Sequence, residues 1–413
     1  MNFNVVDGVL GINVDMVTTA AIASFLFILG FFIKSKSKFL TKYCIPAPVV
    51  GGFLFMFFTW FGNITSTFAV NFTVTLQPFF MNAFFATVGL GASLSLLKKG
   101  GMLLGIYWVI AVVLSIFQNI LAIGVAPVVN LDYAYAVMVG ALSMIGGHGA
   151  AAAYGASIEA MGWPGASVVG AAAATYGLVV SVIFGAPIAR RLVEKYNLRP
   201  DPTENLDTSV MDVNSETSAQ KLSGLDIMKN VSVILLCMSF GAMFARWISS
   251  IIGMGFPDMV GAMLLAVIVR NLNEKVRVYK FDYPLVSNIG DVTLGLFLSM
   301  ALMNLRLWEL AGLAGPMMII LVLQTALVLA VVPIVFRILG KTYDAAVMCA
   351  GFVGHGLGAT PTAVVNMTAL NDRYGMSRKA MMIVPIVGAF LVDIIYHPQT
   401  IWFIGRFVEN LNP

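Results

Sequence analysis

Residues 351–367 read G-F-V-G-H-G-L-G-A-T-P-T-A-V-V-N-M, within an otherwise strongly apolar region. Glycines weaken a helix, and the proline removes a backbone donor. In hydrocarbon, a freed backbone polar group costs several kcal/mol. Such a stretch survives at membrane depth only where protein buries it or where it lines a wet cavity. The chemistry it offers is non-covalent. Free N–H groups at half-helix N-termini suit an anion, and loosened carbonyls suit a hard cation. Residues 141–160, A-L-S-M-I-G-G-H-G-A-A-A-A-Y-G-A-S-I-E-A, repeat the theme. Gly147-His148-Gly149 matches Gly354-His355-Gly356, and Glu159 falls on Asn366 at the same offset. Paired broken segments point to the binding site of a secondary transporter.

The candidate substrate contacts follow from these two segments. Ser143, Gly146, Gly147, His148 and Gly149 belong to the first. Gly354, His355, Gly356, Gly358, Ala359, Thr360, Pro361, Thr362 and Asn366 belong to the second. Pro361 suits the first turn of a half-helix, where its missing N–H is harmless. Asp393, in the middle of an apolar run, is a candidate for Na⁺ or a proton. Asn366, Thr360, Thr87 and Ser299 complete the candidate Na⁺ set. The bland alternatives are close helix packing for the glycines, neutral tie-down of a turn for the histidines, and hydroxyls bonded to their own helix. His397, beside Pro398, reads as structural. Glu159 reads as the wet exit of the first segment, Asp291 as solvated, and Arg306 with Glu309 as an interfacial pair.

The elements that must hold these residues are membrane spans. The chain has 413 residues, 59% hydrophobic and 11% charged, with a mean hydropathy of +0.90. Soluble domains carry about 25% charged residues. The net charge of +4 does not imply a nucleic-acid partner, because the basic residues occupy short loops. Cys44, Cys237 and Cys349 are scattered, which suggests neither disulfides nor zinc. Asp7 and Asp15, without a basic n-region, argue against a cleavable signal peptide. No phosphate loop or other enzyme signature is present, and no cofactor is implied beyond a coupling ion.

Apolar runs at 16–33, 48–61, 79–97, 102–126 and 166–189 read as spans one to five; runs at 231–252, 256–269, 292–305, 310–336 and 380–403 read as six to ten. Spans two and seven are short, and each begins at a proline, Pro46 or Pro257. Gly177 and Pro187 match Gly388 and Pro398, and Gln118 and Gln324 occupy similar places in spans four and nine. The ordered matches argue for an internal duplication: an N-terminal repeat, 1–189, a flexible cytoplasmic linker, 190–229, and a C-terminal repeat, 230–413. With both termini outside, all basic residues except Arg246, Arg306 and Arg406 fall inside. That bias survives only if 132–160 and 343–371 each enter and leave on one face, as re-entrant hairpins. Five spans per half then gives the repeats inverted topology.

The motifs Gly146-Gly147-His148-Gly149 and Gly356-Leu357-Gly358-Ala359-Thr360-Pro361-Thr362-Ala363 resemble the glutamate:Na⁺ symporter (ESS) family of bacteria. So do Ala83-Phe84-Phe85-Ala86-Thr87, Leu307-Trp308-Glu309-Leu310-Ala311, Tyr343-Asp344-Ala345-Ala346-Val347 and Val387-Gly388-Ala389-Phe390. The resemblance runs over nearly the whole chain. It departs at Ile145, at His355 and across 394–398. It implies an all-α polytopic transporter of the inner membrane that takes up glutamate with Na⁺ by alternating access. By similarity to citrate-type relatives, it also implies a homodimer moving as an elevator. Two other readings are a proton- or Na⁺-coupled carrier of another di- or tricarboxylate, using Asp393 and a histidine, and a passive channel.

Overall fold

The computed structural model describes residues 1–6, 9–42, 45–93, 95–200, 223–252, 256–279, 281–304 and 312–409. Asp7, Cys44, Lys221, Lys280, Arg306, Glu309 and the motif at 307–311 lie outside the described residues, as does 201–222 of the expected linker.

The membrane body is helical. Helix α1 (Met16–Lys36) starts at Asp15, whose carboxylate accepts the Val17 and Thr18 N–H groups. The Thr18 backbone N–H, its hydroxyl and the N-terminal amine hold that carboxyl well below its usual range. After α2 (Lys38–Lys42), α3 (Ala47–Ile64) begins at Pro46, with φ −62° and ψ 140°. Helix α4 (Gln77–Gly91) is followed by α5 (Ser95–Val125), which Gly101 interrupts with φ 63°. In the second half, α10 (Gly224–Ile252) is followed by α11 (Asp258–Val276), which begins at Pro257 with φ −62° and ψ 141°. The two prolines thus start matched helices in the same backbone conformation. Helices α12 (Tyr283–Met303) and α13 (Ala314–Ile338) come next.

Helices α1, α3, α4, α10, α11 and α12 form one group. Within it α1 packs on α3 as α10 packs on α11, and α12 packs on α3 as α4 packs on α11. The same pairings recur with the halves exchanged. Small residues allow the approach: a methyl on Gly51 would lie 2.0 Å from the Leu26 carbonyl oxygen, and one on Gly241 would lie 2.4 Å from Ala262 Cα. Without a hydrophobic drive between helices in lipid, such close backbone packing holds them together.

The second group contains α5, α13 and the glycine-rich segments. These segments are α6 (Tyr133–Met138), α7 (Ala141–Met144) and α8 (Gly147–Ala160) in the first half, and α14 (Tyr343–Gly358) and α15 (Thr360–Tyr374) in the second. Helix α9 (Ala166–Lys195) lies against α8, α14 and α15. The last span is α16 (Arg378–Ile386), a π-helical turn (Val387–Leu391) and α17 (Asp393–Phe407). The two groups meet chiefly where α12 and α4 touch α8, α9 and the π-helical turn.

Several boundaries differ from the sequence expectation. Among the described residues, eight helices are long and apolar enough to cross a bilayer, against ten expected spans. Span three ends early. Helix α4 has 15 residues, because Asn271 Nδ2 donates to the Ala92 carbonyl and Ser93 Oγ to Glu274, tying the chain to α11. Span seven lengthens to 19 residues, but its last turns carry Arg270, Glu274 and Lys275. Span two lengthens to 18 residues. The expected linker loses both ends, since α9 runs to Lys195 and α10 starts at Gly224. The expected all-α chain also carries a small sheet: β1 (Asn2–Val6) pairs antiparallel with β2 (Val9–Val14), which pairs parallel with β3 (Phe68–Phe72). β3 bridges α3 and α4, so the sheet ties the N-terminus over the ends of these helices.

Candidate functional site

Each glycine-rich segment folds back on itself. In the second, α14 and α15 run side by side. A methyl on Gly354 would lie 2.4 Å from Ala363 Cα, so only glycine admits this approach. Thr362 Oγ1 donates to the Gly354 carbonyl across the arms at 2.8 Å. The base is closed where Tyr343 Oη donates to the Gly375 carbonyl and Ser377 Oγ to Asp344. In the first segment, Tyr135 Oη donates to the Pro164 carbonyl and its ring meets Trp163, so the entering and leaving strands of chain again meet. The entering arm is not one helix but two short ones. It breaks at Val139–Gly140, where Asn119 Oδ1 accepts the Ala141 N–H. The residue two before each segment is left-handed, Asn130 with φ 52° and Lys341 with φ 55°.

The two tips face each other. Gly147 has φ 60°, Ala359 has φ 86° and ψ 169°, and a methyl on Gly147 would lie 3.3 Å from the Ala359 Cβ. A non-glycine residue in that region costs about 1–3 kcal/mol and persists where the surroundings impose it, typically at binding sites. Ala359 and Thr360 are half-buried and Pro361 is exposed, in a region whose supporting shell is fully buried.

Around the tips lies the π-helical turn. Pro385 has no N–H to give the Met381 carbonyl, and the Val392 N–H reaches back five residues to Val387. Such turns often mark functional sites. A methyl on Gly388 would lie 2.7 Å from Thr360 Oγ1 and 3.0 Å from His355 Nδ1. His355 is 1% exposed, and neither ring nitrogen has a partner. A buried unsatisfied polar group calls for a ligand, a water or a second conformation. Asp393 follows the turn, half-buried, within electrostatic reach of Tyr154 and Tyr396.

The expected residues divide accordingly. Gly146, Gly147, Gly149, Ala359, Thr360, Pro361 and His355 gather at or beside the tips. Gly146 lies against the Tyr396 hydroxyl and Gly149 against Phe84 and Leu294. Other candidates are bonded or packed against neighbours. Ser143 Oγ donates to Met138 within its own arm. His148 Nε2 meets Thr175 Oγ1 at 2.9 Å, and Gly358 packs on Ser181. Gly354 and Thr362 join the arms, and the Gly356 carbonyl accepts from Gln118 Nε2 at 2.7 Å. Asn366 Nδ2 donates to the Ser181 carbonyl at 3.0 Å, leaving Oδ1 buried and unpartnered. Thr87 donates to its own helix at Phe84 and faces Gly290 of α12. Ser299 Oγ is buried and unpartnered in α12, in the other helix group. His397 Nδ1 pairs with Tyr154 Oη at 3.0 Å, under Phe85. Sequence reasoning missed Tyr154, Tyr396 and the π-helical turn. Their signal was the pair Pro385 and Pro398 bracketing Gly388 and Asp393.

Chemically, the tips present two helix starts, α8 at Gly147 and α15 at Thr360, with a free hydroxyl and a carboxylate nearby. That combination can hold an anion by N–H groups and a hard cation by oxygens. Residues 12–376 match the family model described as sodium/glutamate symporter. The sodium/glutamate symporter of Escherichia coli (strain K12) is 37% identical over 93% of this chain and 96% of its own. That of Haemophilus influenzae is 35% identical over 91% of this chain and 94% of its own. A solved sodium proton antiporter from Methanocaldococcus jannaschii covers 96% of this chain and 98% of its own, at 11% identity and a TM-score of 0.39, too low to support any argument. With a family model spanning most of its length and relatives matched nearly end to end, the chain belongs to the sodium/glutamate symporter family, a family of transporters and not of enzymes.

Proposed function

We propose that the protein takes up glutamate with Na⁺ by alternating access, across the inner membrane of a bacterium. The observation that carries this reading is the meeting of two positive-φ tips, Gly147 and Ala359, beside the π-helical turn and the half-buried Asp393. The starts of α8 and α15 hold the substrate carboxylates. Thr360 Oγ1, carbonyls of the 387–391 turn and Asp393 hold Na⁺. Asn366 supports this set from behind, through its bond to α9, and Thr87 and Ser299 belong to the scaffold. Two or more Na⁺ per glutamate make uptake electrogenic, adding about 2.3 kcal/mol per net charge per 100 mV.

The finer architecture belongs to the same proposal. The two glycine-rich segments are re-entrant hairpins, which is supported by their closed bases. The halves are inverted repeats, which is supported by the helix pairings that recur with the halves exchanged and by the matched Pro46 and Pro257 caps. The group holding the tips moves against the group built on α1, α3, α4 and α10–α12, as an elevator within a homodimer. Both termini lie outside and the linker inside.

The test is labelled glutamate uptake into proteoliposomes, with Na⁺ and H⁺ gradients imposed separately. Concentrative uptake under the Na⁺ gradient alone is expected. Uptake that follows only the pH gradient, or that equilibrates without concentrating, overturns the reading.

A further inference from the structure

Behind the tips, two glutamines form a crossed clasp. Gln118 on α5 and Gln324 on α13 are both fully buried. Gln118 belongs to the first half, yet its Nε2 donates to the Gly356 carbonyl of the second hairpin at 2.7 Å. Gln324 belongs to the second half. Its Nε2 donates to the backbone carbonyl of Gln118 at 2.8 Å, with a longer 3.4 Å contact to the Val139 carbonyl at the break in the first hairpin. A continuous path of hydrogen bonds therefore runs from Gly356, two residues before the end of α14, through both glutamines to Val139. Asn119, the neighbour of Gln118, holds the other side of that break through Ala141.

Stability does not account for these side chains. Each carboxamide oxygen, Oε1 of Gln118 and of Gln324, is buried without a partner. An unsatisfied buried acceptor costs about 1–3 kcal/mol, more than the roughly 0.5–1.5 kcal/mol that a hydrogen bond contributes. An apolar residue of the same shape would pack as well, though at position 118 it would leave the Gly356 carbonyl without this donor. What the glutamines supply is a fixed relation between the two hairpins.

The geometry points to Gln118 and Gln324 as positioning residues that carry the coupling between Na⁺ and glutamate. A ligand that settles one hairpin shifts the carbonyl at its end of the path, and the clasp passes the shift to the other. This rests on the symport reading above. Coupling is measured as α, the factor by which saturating Na⁺ improves glutamate affinity; typical couplings are about 5–150-fold. The test reads α directly.

Gln118→Met and Gln324→Met, singly and together, keep side-chain volume while removing donor and orphaned acceptor. Glutamate binding to the detergent-solubilised protein is measured at low and saturating Na⁺, with thermal unfolding as a control. Each single variant is expected to lower α at least fivefold, with the unfolding temperature unchanged in Gln324→Met and slightly lowered in Gln118→Met, which leaves the Gly356 carbonyl without this donor. The double variant is expected to match the singles, because the residues act in series. Variants that keep the wild-type α, or losses that multiply in the double, overturn the clasp alone. A wild type in which Na⁺ leaves glutamate affinity unchanged overturns both the clasp and the symport reading. If Gln118→Met fails to insert, Gln118→Glu replaces it: its carboxyl donates to Gly356 only when protonated, so the variant's α is expected to fall as pH rises, and an α in the variant that equals the wild type's at every pH overturns the clasp.

Discussion

Gly388→Ala perturbs the proposed site without removing a ligand atom. The new methyl would sit 2.7 Å from Thr360 Oγ1 and 3.0 Å from His355 Nδ1, where ordinary contact begins at 3.4 Å. Both neighbours are side-chain atoms, so the tip yields rather than the helix. The overpacking costs about 1–3 kcal/mol. Its larger effect is functional, because Thr360 moves off its ligand. A hydrogen bond to a charged group contributes about 1.5–3 kcal/mol. Losing most of one weakens binding by roughly tenfold to a hundredfold. Uptake kinetics in proteoliposomes should show KM for glutamate, Na⁺ or both raised by that factor, with thermal unfolding in detergent shifted little. Thr360→Ala removes the hydroxyl that clashes, so the double variant should fall short of the summed losses. Gly105→Ala is the control: a methyl there meets nothing within 4 Å, and kinetics should not change. Unchanged KM for both solutes in Gly388→Ala would show that Thr360 and the π-helical turn lie off the transport path.

Thr360→Val and Asn366→Ala should each impair uptake by roughly tenfold or more while leaving membrane insertion intact, checked by initial rates against protein in the vesicle; normal kinetics in both would remove the second hairpin from the site. Asp15 makes a different prediction, because its carboxyl is held below the usual range by the Thr18 N–H. The cap therefore contributes stability that is full above the unfolded pKa, about 3.9, and that is lost as pH falls through the lower folded value. Amide exchange at Val17 and Thr18 should stay protected at pH 4 in the wild type but not in Asp15→Ala. Val128→Cys and Arg337→Cys, both at exposed positions, should label from opposite sides of the membrane, the first from outside; labelling from one side would refute the proposed topology.

The sequence pattern located the two interrupted segments, because a glycine cluster inside an apolar run cannot lie in lipid as a plain helix. It also placed Gly147, Ala359, Thr360 and His355 together, since matched breaks at membrane depth need each other's polar groups. It could not choose between a ligand and a tie for Ser143, His148 and Thr87; the fold shows the polar atom of each bonded to a neighbour or to its own helix. The end of α4 was invisible because Asn271 and Glu274, far along the chain, draw Ala92 and Ser93 away from helix. The N-terminal sheet was missed because β3 lies between two spans, and its partner β2 is separated from it in sequence by α1 and α3.

These cases share a cause. An apolar period reports where a helix lies, and a glycine reports where a backbone comes close, so both are legible locally. Hydrogen-bond satisfaction is a property of the whole fold. Gln118 and Gln324 make the point: one sequence offset suggested that they correspond, but only the fold shows that each holds the hairpin of the opposite half. A polar residue buried in lipid-depth protein with half its bonding capacity unmet is hard to explain by stability. His355, with both nitrogens unmet beside the tip, stands in the same position as the glutamines. At His355, beside the tips, such unmet capacity is what a group that binds and releases cargo requires, since it must be unsaturated in at least one of its states.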